Sequence, residues 1–218
     1  MKYVLDFIFH IDKNLALAID YLGFMSYCLL FLIIFLETGI VITPFLPGDS
    51  LIFAAGTLAA QGSFNPLVLW FVLVAGAILG DTVNYWIGHY IGPKAFNENA
   101  TIKIFNLKIK VNRILKEEYL VKAERFYEKY GGKAIILARF IPIIRTFAPF
   151  AAGIGKMNYN KFISYNIIGG IIWVTIFLLA GYYFGTIPFV QKNFHYTILI
   201  ILIISIVPVI YEWWKARN

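Results

Sequence analysis

Four charged residues, Glu37, Asp49, Arg139 and Arg145, sit inside runs that are otherwise apolar, and they constrain the fold more than any other feature of the chain. Twelve uncharged residues, Met25 to Leu36, precede Glu37. At helical rise they reach about 18 Å, whereas a bilayer's hydrocarbon core is about 30 Å thick, so Glu37 falls near the midplane. From the other side, ten uncharged residues between Ala60 and Leu51 precede Ser50 and Asp49. They reach about 15 Å, a similar depth. Between the two acids, Pro44 and Pro47 remove backbone donors and Gly48 follows, so residues 24–60 read as a re-entrant hairpin that enters and leaves on one face. Broken backbone persists at that depth only where it is buried in protein or lines a wet cavity.

The membrane premise rests on composition. The 218 residues are 60% hydrophobic and 14% charged, against about 25% charged for a soluble domain. A soluble globular fold is excluded, and the length suits one domain of membrane segments. The single cysteine, Cys28, and the scattered His10, His89 and His195 give no disulfide and no metal-ligand spacing. No cofactor is implied, and no GxSxG, HExxH or phosphate-cradling glycine loop is present.

Along the chain, residues 1–22 mix apolar residues with Asp6, Asp12, Lys13 and Asp20, which reads as an amphipathic helix kept in the mature protein and not as a cleaved signal. Residues 64–92 form a spanning helix, in which Gly76, Gly80, Asn84 and Gly88 recur every four residues and mark a face for close packing. Residues 93–133 hold ten of the nineteen Lys and Arg residues and read as a basic amphipathic helix on the membrane surface. Residues 134–155 repeat the first oddity with opposite charge: Arg139 and Arg145 in an apolar run interrupted by Pro142 and Pro149 and ending in Gly153. They read as a second hairpin. Residues 162–186 and 194–214 complete three spans.

Placing the basic segment, Lys156, Lys161 and the C-terminal tail in the cytoplasm puts fourteen Lys and Arg inside, three outside and two embedded. The hairpins then enter from opposite faces, as in an inverted repeat, with Asn84-x3-Gly88 and Asn166-x3-Gly170 as a weak internal match. The expected fold is therefore an all-α polytopic membrane protein with three or more spanning helices and two opposed re-entrant hairpins. The basic residues lie beside apolar segments, so the charge of +7 points to anionic lipid as partner and not to nucleic acid. Homo-oligomerisation stays open.

Each intramembrane charge costs about 2.5–3.5 kcal/mol on insertion scales, on the order of 10 kcal/mol for the four, unless paired or solvated. Two readings explain their retention. In one, the acids and arginines form ion pairs that fasten one hairpin to the other. In the other, Arg139 and Arg145 bind a phosphate-bearing head group through the guanidinium's planar fork, and Glu37 and Asp49 exchange protons as a substrate alters their surroundings. Asp81, Asn84 and Asn166 are candidates for lining the cavity, with Asp81 equally able to cap or pair near the interface.

The segments Glu37 to Ser50, Gly80-Asp81-Thr82-Val83-Asn84-Tyr85, and Ala138 to Gly153 with its ARFIPIIRTFAPFAAG order together resemble the DedA family, and the likeness covers nearly the whole chain. That resemblance implies a multi-pass protein of the bacterial inner membrane, related to scramblases of the autophagy pathway and built with opposed re-entrant hairpins. It also implies a part in membrane homeostasis that depends on the proton motive force, and lipid transport, with undecaprenyl phosphate or phospholipid as cargo. The family's functional acids and arginines map onto Glu37, Asp49, Arg139 and Arg145. A flippase or scramblase is the first expectation. A proton-coupled ion or drug exchanger, a non-transporting membrane-organising protein and an enzyme acting on lipid phosphate are the alternatives.

Overall fold

The computed structural model describes residues 23–39, 48–95, 101–104, 107–110, 131–188 and 190. Six helices carry most of them: α1 (Met25–Gly39), α2 (Gly48–Ala60), α3 (Pro66–Ala95), α4 (Lys133–Ala138), α5 (Pro142–Ile154) and α6 (Tyr159–Phe184). The expected amphipathic helix at 1–22, the span at 194–214, and Pro44 and Pro47 lie outside the described residues.

Helix boundaries follow local chemistry. Asn65 caps α3, its Oδ1 accepting the backbone N–H groups of Leu67 at 3.0 Å and Val68 at 3.2 Å, while Pro66 occupies the first turn, where no N–H is needed. Asn158 caps α6 in the same way, accepting from Asn160 and Lys161. Between α4 and α5 the chain tightens into i→i+3 turns at Arg139, Phe140 and Ile141. Ile141 is extended, as a residue before proline must be, and Pro142 opens α5. The break therefore falls at 139–141.

Two of the expected breakers do not break the helix. Pro149 lies inside α5 and Gly153 in its last turn. A proline kinks and does not end a helix when the turns around it stay bonded and neighbouring helices hold it. Gly153 serves packing: a Cβ there would strike the carbonyl oxygen of Tyr85 on α3.

Residues 101–104 and 107–110 also depart from expectation. In place of a basic helix, β1 (Thr101–Ile104) and β2 (Leu107–Lys110) pair antiparallel, Thr101 opposite Lys110 and Ile104 opposite Leu107. The sequence here alternates apolar residues with lysine, a period of two that outweighs the helical spacing further on. Residues 111–130 lie outside the described residues.

The packing exchanges partners. Within the first half, α1 lies on α3; within the second, α4 lies on α6; but α2 packs on α6 and α5 packs on α3. Each exchanged contact is a reciprocal pair of glycines. Gly88 abuts the Phe150 carbonyl while Gly153 abuts that of Tyr85, and Gly56 abuts the Leu178 carbonyl while Gly181 abuts that of Phe53. Small residues let backbones meet this closely. The glycine face expected on α3 is present, with Gly76 and Gly80 against α1 and Gly88 against α5.

Asn84 and Asn166 are not counterparts across this exchange, because the glycine contacts match Gly88 to Gly181, which sets Phe177 and not Asn166 at the position corresponding to Asn84. A methyl at Gly181 has only rigid backbone to displace. Gly181→Ala is expected to cost about 1–3 kcal/mol, read as a lower unfolding midpoint in detergent.

Pro66–Tyr90 and Tyr159–Phe184 are each long and apolar enough to cross a bilayer. Their outward sides carry Leu67, Phe71, Leu79 and Val83 on α3 and Ile168, Ile172, Ile176 and Leu179 on α6, all exposed. The buried sides of α1, α2, α3 and α6 share one apolar core that includes Leu30, Ile34, Ile52, Leu73 and Leu178.

Candidate functional site

The C-terminal end of α1 and the N-terminal end of α2 bring Glu37 and Asp49 together, and the first turn of α5 points Arg145 between them. Arg145 Nη2 lies 2.5 Å from Glu37 Oε1 and Nη1 lies 2.9 Å from Asp49 Oδ1. All three residues are buried. The N-terminus of α2 adds a donor, since the Gly48 N–H points at Glu37 Oε1 over 3.2 Å, a favourable place for a carboxylate. Glycine at 48 leaves the carboxylate this place, because a Cβ there would overlap it and push the Glu37 side chain aside.

Asn84 ties this centre to α3. Its Nδ2 donates to the carbonyls of Thr38 at 3.3 Å and Thr146 at 2.7 Å, one from each side of the site.

Arg139 does not join Arg145. Its guanidinium forms a second centre between α3 and α6: Nη2 lies 2.7 Å from Asp81 Oδ2 and donates to Asn166 Oδ1 at 2.5 Å and to the Ala77 carbonyl at 3.3 Å. Asn166 Nδ2 donates in turn to the Ile78 carbonyl at 3.0 Å. Gly169 and Gly170 leave room for the arginine's side chain, which a Cβ at either would touch. The ion pairs expected between the two arginines and Glu37 and Asp49 thus resolve differently: Arg145 takes both acids, and Asp81 pairs with Arg139.

Between the centres stands Trp173 of α6, fully buried. Its indole N–H donates to Asp49 Oδ1 at 2.9 Å, and its ring faces Arg145 at 5.0 Å and Arg139 at 5.8 Å, within cation–π range. Trp173 was not among the residues singled out from the sequence. The available signal was its position deep within an apolar span, where the interfacial rule does not apply. Thr38 and Thr146 were also missed; they contribute backbone carbonyls, which sequence does not advertise.

Several buried polar atoms of these centres have no protein hydrogen-bond partner among the described residues: Glu37 Oε2, Asp81 Oδ1, Asn84 Oδ1, Arg139 Nε and Nη1, and Arg145 Nε. Donors and acceptors are both spare, in a region where an unmade hydrogen bond costs about 1–3 kcal/mol. Among the described residues no group of three His, Cys, Asp or Glu side chains is placed to hold a metal ion.

The VTT domain matches residues 46–183. Protein DedA of Escherichia coli is 49% identical over 212 residues, spanning 96% of this chain and 92% of that protein. An uncharacterized membrane protein of Mycobacterium leprae is 39% identical over 84% of this chain and 78% of its own length. Inner membrane protein YghB of Escherichia coli is 31% identical over 88% and 82%. No solved structure matches. The chain belongs to the DedA family of VTT-domain membrane proteins.

Proposed function

We propose that this protein is an inner-membrane lipid translocase or scramblase that carries a phosphate-bearing lipid, undecaprenyl phosphate or another anionic phospholipid, between leaflets and so supports envelope homeostasis. The observation that carries the reading is a buried arginine shared by two carboxylates where two broken helix pairs meet. Arg145 is the phosphate-binding group, since a guanidinium stays charged in a poorly solvated site and presents a fork matched to phosphate oxygens. In this reading α1–α2 and α4–α5 are opposed re-entrant hairpins of an inverted repeat, and α3, α6 and residues 194–214 cross the membrane with the C-terminus in the cytoplasm. The protein makes and breaks no covalent bond in its cargo.

Counting charge supports proton coupling. With Glu37 and Asp49 ionised, the Arg145 centre carries one excess negative charge, and an entering phosphate adds to it. The phosphate therefore enters together with a proton on one of the acids. Linkage then makes binding tighten as pH falls, by up to about tenfold per pH unit for one proton. Binding of a polyprenyl monophosphate to the protein in nanodiscs, measured on both sides of neutral pH, checks this. Glu37→Gln removes the excess charge and leaves only the phosphate's own titration, with a second pKa of about 6. Wild type and Glu37→Gln giving the same profile would contradict the coupling.

One observation favours a second reading, in which the charges only fasten the helix breaks and the protein organises the membrane without transporting. Glu37, Asp49 and Asp81 are each already paired with an arginine. Leaflet exchange of labelled lipid in proteoliposomes separates the two readings.

A further inference from the structure

We infer that Trp173 is a positioning residue for the Arg145 centre: its indole N–H holds the Asp49 carboxylate when Arg145 turns to an anion. The inference rests on the proposed phosphate-binding role of Arg145 and adds a residue to it. Asp49 Oδ1 is shared, with Arg145 Nη1 and Trp173 Nε1 each 2.9 Å away. An anion that takes the guanidinium's fork removes one of these partners. A buried carboxylate that loses its cation needs another donor, and the indole N–H is already in place on a side chain locked by complete burial within α6.

The ring serves the same end. It faces Arg145 at 5.0 Å and Arg139 at 5.8 Å, so a guanidinium that leaves its carboxylate keeps an aromatic face to rest on. The remaining partner of Arg145, Glu37, retains the Gly48 N–H. Each of the two acids thus keeps a donor it already holds, the backbone of α2 for Glu37 and Trp173 for Asp49. Release of Arg145 then strands neither acid.

The test is binding of a polyprenyl monophosphate to the full chain in phosphatidylcholine nanodiscs, for wild type, Trp173→Phe, Asp49→Ala and the double variant. Trp173→Phe is expected to weaken binding about tenfold or more, the scale of one hydrogen bond to a charged group. In the Asp49→Ala background the same change is expected to have less than about a twofold effect. A merely structural role for the tryptophan gives the same loss in both backgrounds. Should Trp173→Phe fold poorly, the benzothienyl isostere of tryptophan at this position keeps the shape and both ring contacts and lacks only the N–H.

Equal affinity of wild type and the isostere, or additive effects in the cycle, overturns the role of Trp173 while leaving the phosphate site intact. No binding to well-folded wild type overturns the phosphate site, and the inference with it.

Discussion

Arg145→Ala is expected to destabilise the protein by about 3–5 kcal/mol, because it leaves Glu37 and Asp49 buried beside each other without their shared cation. The effect is measured as a fall in the unfolding midpoint in detergent, together with loss of the monodisperse species. Loss of lipid exchange in this variant alone therefore says little about function. The informative variant removes all three charges: Glu37→Gln, Asp49→Asn and Arg145→Gln leave neutral groups of similar shape that can still hydrogen-bond. That variant is expected to recover most of the lost stability and none of the exchange. Exchanging charges, Glu37→Arg with Arg145→Glu, is expected to fail on structural grounds, since it sets a carboxylate against Asp49.

The second large effect is at the other centre. Asp81→Ala strands the Arg139 guanidinium, whose side chain is 1% exposed, and is expected to cost a similar 3–5 kcal/mol. Combining Asp81→Asn with Arg139→Gln is expected to restore the unfolding midpoint to within about 1–2 kcal/mol of wild type, because breaking a buried pair costs more than replacing it. Exchange by that double variant assigns the Arg139 centre its part. Retained exchange makes it a fastening between α3 and α6, whereas lost exchange in a stable protein makes it a second station for the moving charge.

Much of this arrangement was legible in the chain. Runs of twelve and ten uncharged residues set Glu37 and Asp49 at a matching distance from the ends of their segments, and the two acids do converge on Arg145. The four-residue spacing of Gly76, Gly80, Asn84 and Gly88 marked the face on which α1 and α5 pack. Pairing partners were not legible. Whether Arg139 meets Glu37, Asp49 or Asp81 depends on how α4 and α5 lie against α3 and α6, and a run holding both Pro142 and Pro149 does not show which of them marks the break. Asp81 looked ambiguous because an acid within a span gives no sign of its cation when that cation is 58 positions away. The paired strands at Thr101–Ile104 and Leu107–Lys110 were obscured by the larger basic segment around them, although their own alternation was visible.

The measurement that bears most directly on the central claim is leaflet exchange in proteoliposomes. Labelled undecaprenyl phosphate and a labelled zwitterionic phospholipid are followed with and without a pH gradient, for wild type and the Glu37→Gln, Asp49→Asn, Arg145→Gln variant. Wild type is expected to move the polyprenyl phosphate, faster with the gradient, and the folded neutral variant to move none. Movement of neither lipid by well-folded wild type, or undiminished movement by the neutral variant, would contradict that claim.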